Sequence, residues 1–448
     1  MMNLNKNKII GLVRLSLVFV VIPLLLFSCR ATRVPVDTKD LSYLYNPTQN
    51  SLNPLYNIRN ISDNESILSV KYFTSELYFS EANPQGIALA SLMVTAKLYT
   101  TDQGRVLADT AAYNLTIYEE DSPPEHIYQI PLKVQPGREY LVEVKTLDRV
   151  RMQVVQAFIT FNTLSDYNRY NFKALGYFAK NELFKPVLKK NEYVNLVYLK
   201  GYIDSLYISY YKPYKEIPYP PSMLLPEKTL DYGPDTIIPL PYSDTIPIML
   251  PEEGIYVVSA GRDIEGGFTF MNFGELFPSM TTAEVMIDPL IYLANETQLN
   301  NMREADRPKL ALDEFWISCG GNIERARELI RIYYTRVFYA NQYFTSFTEG
   351  WRTDRGMIYV IYGPPDKVYK SSDGESWGYL KPVIKSSWGS RYKVQDDYLF
   401  FTFRKRNSIY SDNDYYLNRS ETLVTLWEQA IASWKRGIVF RLDNPDEF

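Results

Sequence analysis

Residues 349–366 read Glu349-Gly350-Trp351-Arg352-Thr353-Asp354-Arg355-Gly356-Met357-Ile358-Tyr359-Val360-Ile361-Tyr362-Gly363-Pro364-Pro365-Asp366, and their reading decides the fold of the C-terminal third. A Gly-Trp turn opens the stretch and a Thr-x-x-Gly knuckle follows. Gly363-Pro364-Pro365-Asp366 closes it, because two prolines cannot continue a hydrogen-bonded ladder. Between these turns Met357–Tyr362 reads as a strand. Met357, Tyr359 and Ile361 alternate with Ile358, Val360 and Tyr362, and since both sets are apolar the strand is expected to be buried on both faces.

The flanks mix helix and strand patterns. A helix is expected from about Arg307 to Ser318, ending at Gly320-Gly321. Asn322 then caps a longer helix with Ile323, Ala326, Ile330, Val337, Ala340 and Phe344 on one face. Strands follow around Trp377–Leu380 and at Tyr398–Arg404. Ser420 caps a last helix striped with Leu423, Leu426, Trp427, Ala430, Ile431 and Trp434. Helices beside a small antiparallel sheet make residues 295–448 an α+β domain.

This region resembles the GWxTD domain, a family of bacterial envelope lipoproteins. The motif residues are Gly350, Trp351, Thr353 and Asp354. Phe315-Trp316, Arg336-x-x-Tyr339-Ala340-Asn341, Gly363 with Pro365 and Asp366, and Trp377 with Tyr379 are similar to the family's other elements. Where the family usually carries an Arg-Asp pair after its Phe-Trp, this chain has Ile317-Ser318-Cys319. The resemblance covers roughly 300–448. It implies a domain and an envelope habitat, and no catalytic activity follows from it.

The N-terminus agrees with that habitat. Residues 1–28 read as an export signal: Lys6 and Lys8 precede an apolar run over 15–27, which ends in Leu26-Phe27-Ser28-Cys29. A small residue before a cysteine at this point looks like a lipobox, so Cys29 is the expected lipidation site, carrying palmitate-type acyl chains. Arg14 and Pro23 leave the run short of the ~20 apolar residues a membrane span needs. Arg30 follows Cys29 in place of the Asp of inner-membrane retention, and no acidic cluster comes after it. The outer membrane, periplasmic face, is the expected location. Residues 29–65, with Pro35, Asn46-Pro47 and Asn53-Pro54, read as the lipidated cysteine and a tether that stands the folded part off the bilayer.

Residues 66–165 are β in pattern, with runs at Ile67–Phe73, Leu92–Tyr99, Tyr113–Tyr118, Tyr140–Val144 and Val154–Phe161. This suits a seven-strand sandwich of immunoglobulin or fibronectin type. A second β domain is expected over 166–294. Its residues 213–251 hold ten of the 27 prolines, read either as an edge strand and stiffened loop or as a polyproline partner-binding segment. The fold class is therefore multidomain: two β-sandwich-like domains, then an α+β domain.

Chemistry is sparse. With Cys29 lipidated, Cys319 is the one remaining thiol, on the apolar face of a short helix and expected to be inert. The single histidine, His126, beside Pro123-Pro124-Glu125, reads as a loop residue. Net charge is −4 without a basic stripe, so nucleic acid is not an expected partner. Asp354 and Asp366 flank one strand, with Asp373 and Glu375 nearby, which would suit a carboxylate pair or a metal. Turn-forming roles account for them more simply, and neither a catalytic set, a metal nor a cofactor is expected. Trp351 is expected to plug the core. The expected function is a non-catalytic accessory or scaffold subunit of an envelope assembly, in outer-membrane protein biogenesis or secretion, with an envelope protein partner. The alternatives are a glycan- or peptide-binding lipoprotein and, third, a hydrolase using the acids of the GWxTD domain.

Overall fold

A computed structural model describes residues 40–47, 52–81, 86–102, 104–120, 122–224, 233–261, 266–381 and 397–442. The export signal, Cys29, the first part of the tether and Trp388 lie outside the described residues. Among the described residues, no helix is long and apolar enough to cross a membrane.

The first β domain has seven strands: β1 (Leu55–Asn60), β2 (Glu65–Phe73), β3 (Leu89–Thr100), β4 (Val106–Tyr118), β5 (Glu125–Lys133), β6 (Glu139–Asp148) and β7 (Gln153–Asn162). They form two antiparallel sheets, β1-β2-β5 and β4-β3-β6-β7. Period-two burial drives the packing: β3 buries Ala90, Leu92, Val94, Ala96 and Leu98 in alternation. In β6, Tyr140, Val142 and Val144 point inward as the sequence pattern requires.

The second β domain repeats this plan with β8 (Phe172–Gly176), β9 (Tyr193–Tyr198), β10 (Ser205–Tyr211), β11 (Thr236–Pro241), β12 (Ile248–Met249), β13 (Gly254–Ser259) and β14 (Phe268–Asn272). Its sheets are β8-β9-β12 and β11-β10-β13-β14, so first, second and fifth strands pair in one layer and the other four form the second, as before. Phe172, Leu196, Ile208, Val258 and Phe270 fill the space between layers. Pro239 and Pro241 sit in β11, an edge strand, where a missing N–H costs least.

In the C-terminal region α1 (Ala283–Ile287), α2 (Glu296–Glu304), α3 (Pro308–Gly320) and α4 (Ile323–Phe344) precede α5 (Asp354–Tyr362). A four-stranded antiparallel sheet follows, in the order β15 (Lys367–Lys370), β16 (Gly374–Leu380), β17 (Tyr398–Lys405), β18 (Tyr415–Leu417), and α6 (Val424–Lys435) closes the chain. Asn322 caps α4, its side chain accepting from the Arg325 N–H at 2.9 Å. The buried face of α4 runs through Ala326, Leu329, Tyr333, Val337, Ala340 and Phe344, whereas Ile323 is exposed.

Three sequence expectations are corrected. Met357–Tyr362 is not a strand but the body of α5. All nine residues of that helix are buried, so it has no polar face and leaves no 3.6-residue period to read. The tether does not extend to residue 65, because β1 occupies 55–60 and the segment at 40–46 is docked on the C-terminal domain. There Leu41, Leu44 and Tyr45 are buried, the Leu41 N–H donates to the Val368 carbonyl at 2.8 Å, and the Tyr45 hydroxyl donates to Glu375 at 2.9 Å. β1 reads as coil because of its Asn and Arg content. Those polar groups are instead spent against the second domain, with Arg59 paired to Glu182 at 3.2 Å and Asn60 bonded to Asn171 at 2.9 Å. Finally, His126 lies in strand β5, paired opposite Tyr72, rather than in a loop.

If residues 40–46 are integral to the C-terminal domain, Tyr45→Phe strips a donor from a buried carboxylate. It should lower stability by about 1.5–3 kcal/mol. An unchanged urea midpoint would show that the segment is not docked.

Candidate functional site

The signature residues surround α5, and their geometry explains each type. Gly350 begins a 3-10 turn (Gly350–Arg352) pressed onto α4: a Cβ there would lie 1.9 Å from the Ala340 carbonyl oxygen. Asn341 secures the turn from below, accepting from the Trp351 N–H at 3.2 Å and donating to the Pro278 carbonyl at 3.0 Å. Trp351 is 1% exposed, edge-on to Tyr292, and the Arg352 guanidinium stacks 4.1 Å above its ring. The Thr353 hydroxyl donates to the Gly350 carbonyl at 2.7 Å and accepts from the Gly356 N–H at 3.0 Å, capping α5. Gly356 has no room for a side chain either, since its Cβ would meet the Gly350 carbonyl at 1.9 Å.

Asp354 occupies the first turn of α5. It accepts from the Leu417 N–H at 2.8 Å and pairs with Arg419, which also donates to the Tyr219 carbonyl at 3.0 Å. At the far end of α5 Arg336 donates to the Val360 and Ile361 carbonyls at 3.1 and 2.9 Å, joined by the Trp434 indole at 3.0 Å. Burial pulls the Arg336 guanidinium down to about 10, so it stays protonated at neutral pH. Gly363 ends the helix at φ +86°, and Pro365 beside it is buried. The Tyr379 hydroxyl donates to the Gly363 carbonyl at 2.8 Å, and Asp366 accepts from the Leu380 N–H at 2.8 Å.

The four acids singled out by sequence therefore go to four places. Asp354 and Asp366 stand at opposite ends of a nine-residue helix, about 13 Å long at 1.5 Å per residue. Asp373 accepts from the Ser371 hydroxyl in a hairpin turn. Glu375 is buried with Arg355 at 3.2 Å and Lys370 at 3.3 Å, and it accepts from the Trp377 indole at 3.0 Å. Among the described residues no three His, Cys, Asp or Glu side chains gather closely enough to hold a metal ion. Cys319 is buried, and burial raises its thiol pKa, which disfavours the thiolate.

Sequence reasoning passed over one feature. A cavity of about 80 Å³ lies between the proline-rich segment and the signature turn. Its lining includes Tyr214, Pro218 and Tyr219 from the second β domain, and Arg352, Asp354 and Arg419 from the C-terminal domain. Ser346, 1% exposed, also lines it, and its hydroxyl has no hydrogen-bond partner among the described residues. No short motif marks this cavity, because its walls are some 130 residues apart in the chain.

This architecture defines the class: two β-sandwich-like modules followed by a mixed helical and sheet domain built around a buried signature turn. The GWxTD domain family model matches residues 254–436, so this is a GWxTD domain-containing protein. The match begins at β13, inside the second sandwich. No curated protein matches the chain. Among solved structures it is similar to a Bacteroides uniformis beta-glucuronidase, at 13% identity over 39% of this chain and 17% of that one, with a TM-score of 0.19. A glycosyl hydrolase family 2 member from Bacteroides cellulosilyticus aligns at 9% identity over 31% and 17%, with a TM-score of 0.18. The chain thus spans about a sixth of the length of these enzymes, and overlaps this distant carry no inference about activity.

Gly350→Ala should destabilise the domain by at least about 3 kcal/mol, since backbone must move to admit one methyl. Gly321→Ala, at φ +72° with nothing within 4 Å, should cost about 1 kcal/mol. Equal losses in thermal unfolding would contradict the packing described.

Glu375 supplies a pH prediction. Burial pushes its carboxyl up, but Lys370, Arg355 and the Trp377 and Tyr45 hydrogen bonds outweigh it and hold the group below its usual 4.5. A carboxyl so depressed contributes fully above its unfolded value and loses that contribution as pH falls through the folded one. Glu375→Gln should therefore be less stable at pH 7 and flatter than wild type below pH 4.5. Parallel stability curves would refute the linkage.

Proposed function

We propose that the protein is a lipid-anchored, non-catalytic scaffold subunit of an outer-membrane assembly, held at Cys29 on the periplasmic face. The observation that carries this reading is an open strand. β4 is thirteen residues long, forms the edge of its sheet, and contains neither proline nor lysine. Val106, Leu107, Tyr113 and Tyr118 along it are 40–58% exposed. A bulge at Ala108 interrupts its register against β3, but residues 109–118 run without a break, and that regular stretch suits pairing with a strand of a partner. The signature residues support the same reading, since each is engaged in holding the domain together.

A second reading, peptide or glycan binding, rests on the cavity beside the signature turn. Its size admits a few waters or a single side chain, which suits a peptide residue better than a sugar ring.

The test is a pull-down of the tagged protein from gently solubilised outer membranes, beside Leu107→Lys and Tyr113→Lys variants checked for folding. A stoichiometric membrane-protein partner, lost in both variants, is the expected result. A clean monomer in every sample would defeat the scaffold reading and turn attention to peptide screens at the cavity.

A further inference from the structure

We propose that the open face of the β15-β16-β17-β18 sheet lies against the phospholipid surface that anchors the chain, an inference that rests on the lipidation of Cys29. Two independent observations meet at this face. The first is where the chain enters the fold. The Val368 N–H donates to Asp40 Oδ1 at 3.0 Å and the Leu41 N–H donates to the Val368 carbonyl at 2.8 Å, so the entering segment runs along edge strand β15. Asp40 follows Cys29 by eleven residues, which span at most about 40 Å when fully extended. The described residue nearest Cys29 along the chain is thus docked on the domain that comes last in the sequence.

The second observation is the chemistry of the face. Val368, Trp377, Phe401 and Phe403 point inward and are buried. The alternate positions point the other way, bringing Lys367, Tyr369, Leu380, Tyr398, Phe400 and Arg404 to a surface that no helix covers among the described residues. Phe400 is 45% exposed, and its ring lies over Gly378, where a Cβ would come within 2.9 Å of it. The rings of Tyr398 and Tyr369 stand 6.1 and 6.3 Å away, and Lys367 Nζ sits 4.9 Å from the centre of the Tyr398 ring. Aromatic rings with a polar tip, beside a long cationic side chain, are what the headgroup region of a bilayer accommodates. Carboxylates rim this face as well: Asp366 accepts from the Leu380 N–H, Asp397 pairs with Lys381 at 3.0 Å, and Asp40 lies beside Lys367. The outward cations, Lys367 and Arg404, are thus set among acids, and the aromatic rings rather than net charge are what the headgroup region would take up.

This arrangement leaves the two β modules, and with them β4, free to reach partners while the GWxTD domain stays on the membrane. The test uses the full lipidated chain in phospholipid vesicles, with nitroxide labels at Phe400→Cys or Tyr202→Cys in a Cys319→Ala background. Tyr202, 86% exposed between β9 and β10, is the control. The label at 400 should show a several-fold higher ratio of oxygen to nickel-complex accessibility than the label at 202. Water-like accessibility at both positions, in a sample whose mass confirms acyl chains on Cys29, would overturn the face and leave the anchor standing. A label at 400 shielded from both reagents would mean that protein, not lipid, covers the face, and would also overturn it. A mass without acyl chains would remove the anchor reading itself.

Discussion

The C-terminal domain depends on one steric constraint: the backbone at Gly350 rests on the Ala340 carbonyl with no space for a Cβ. That contact sets the turn against α4, which sets Thr353 to cap α5, and Gly356 lets the helix start directly beneath the turn. Once α5 is placed, Arg336 and Trp434 take up its final carbonyls, so a helix with every residue buried leaves few backbone groups unsatisfied at its ends. The signature is thereby accounted for as a chain of packing and hydrogen-bonding requirements.

A second constraint joins the modules. Buried polar groups are tolerated only when paired, and here the partners lie on other domains. Arg59 in β1 needs Glu182, and Arg352, paired with Asp288 within the C-terminal domain, also donates to the Lys215 carbonyl of the second β domain. Arg419 bridges Asp354 and the Tyr219 carbonyl. Apolar contact adds to this where Tyr211, Ile255 and Val257 of the second sandwich meet Phe347 and Tyr410. Hinging between these modules would strip charges of their partners, so relative motion should be small.

Much of the fold could be read in advance because its signals are local. Alternation along β3 and β6, the Asn322 cap and the stripe of α6 each depend on a few neighbouring residues and survive in the structure. Met357–Tyr362 reads as strand although it is helix because total burial erases periodicity: an apolar run without a polar face looks the same as helix or as central strand. β1 reads as coil for the opposite reason, since polar residues that are buried by pairing across domains look like loop.

The sequence by itself determined the order of modules, the sandwich character of the first two, and the place and composition of the signature turn. Those follow from short-range sterics and side-chain alternation. The tertiary structure alone decided that α5 is a helix, that residues 40–46 belong to the domain at the other end of the chain, and that Asp354 and Asp366 are kept apart. The deciding terms there are packing density and the pairing of buried charges, which depend on neighbours hundreds of residues away that no local pattern records.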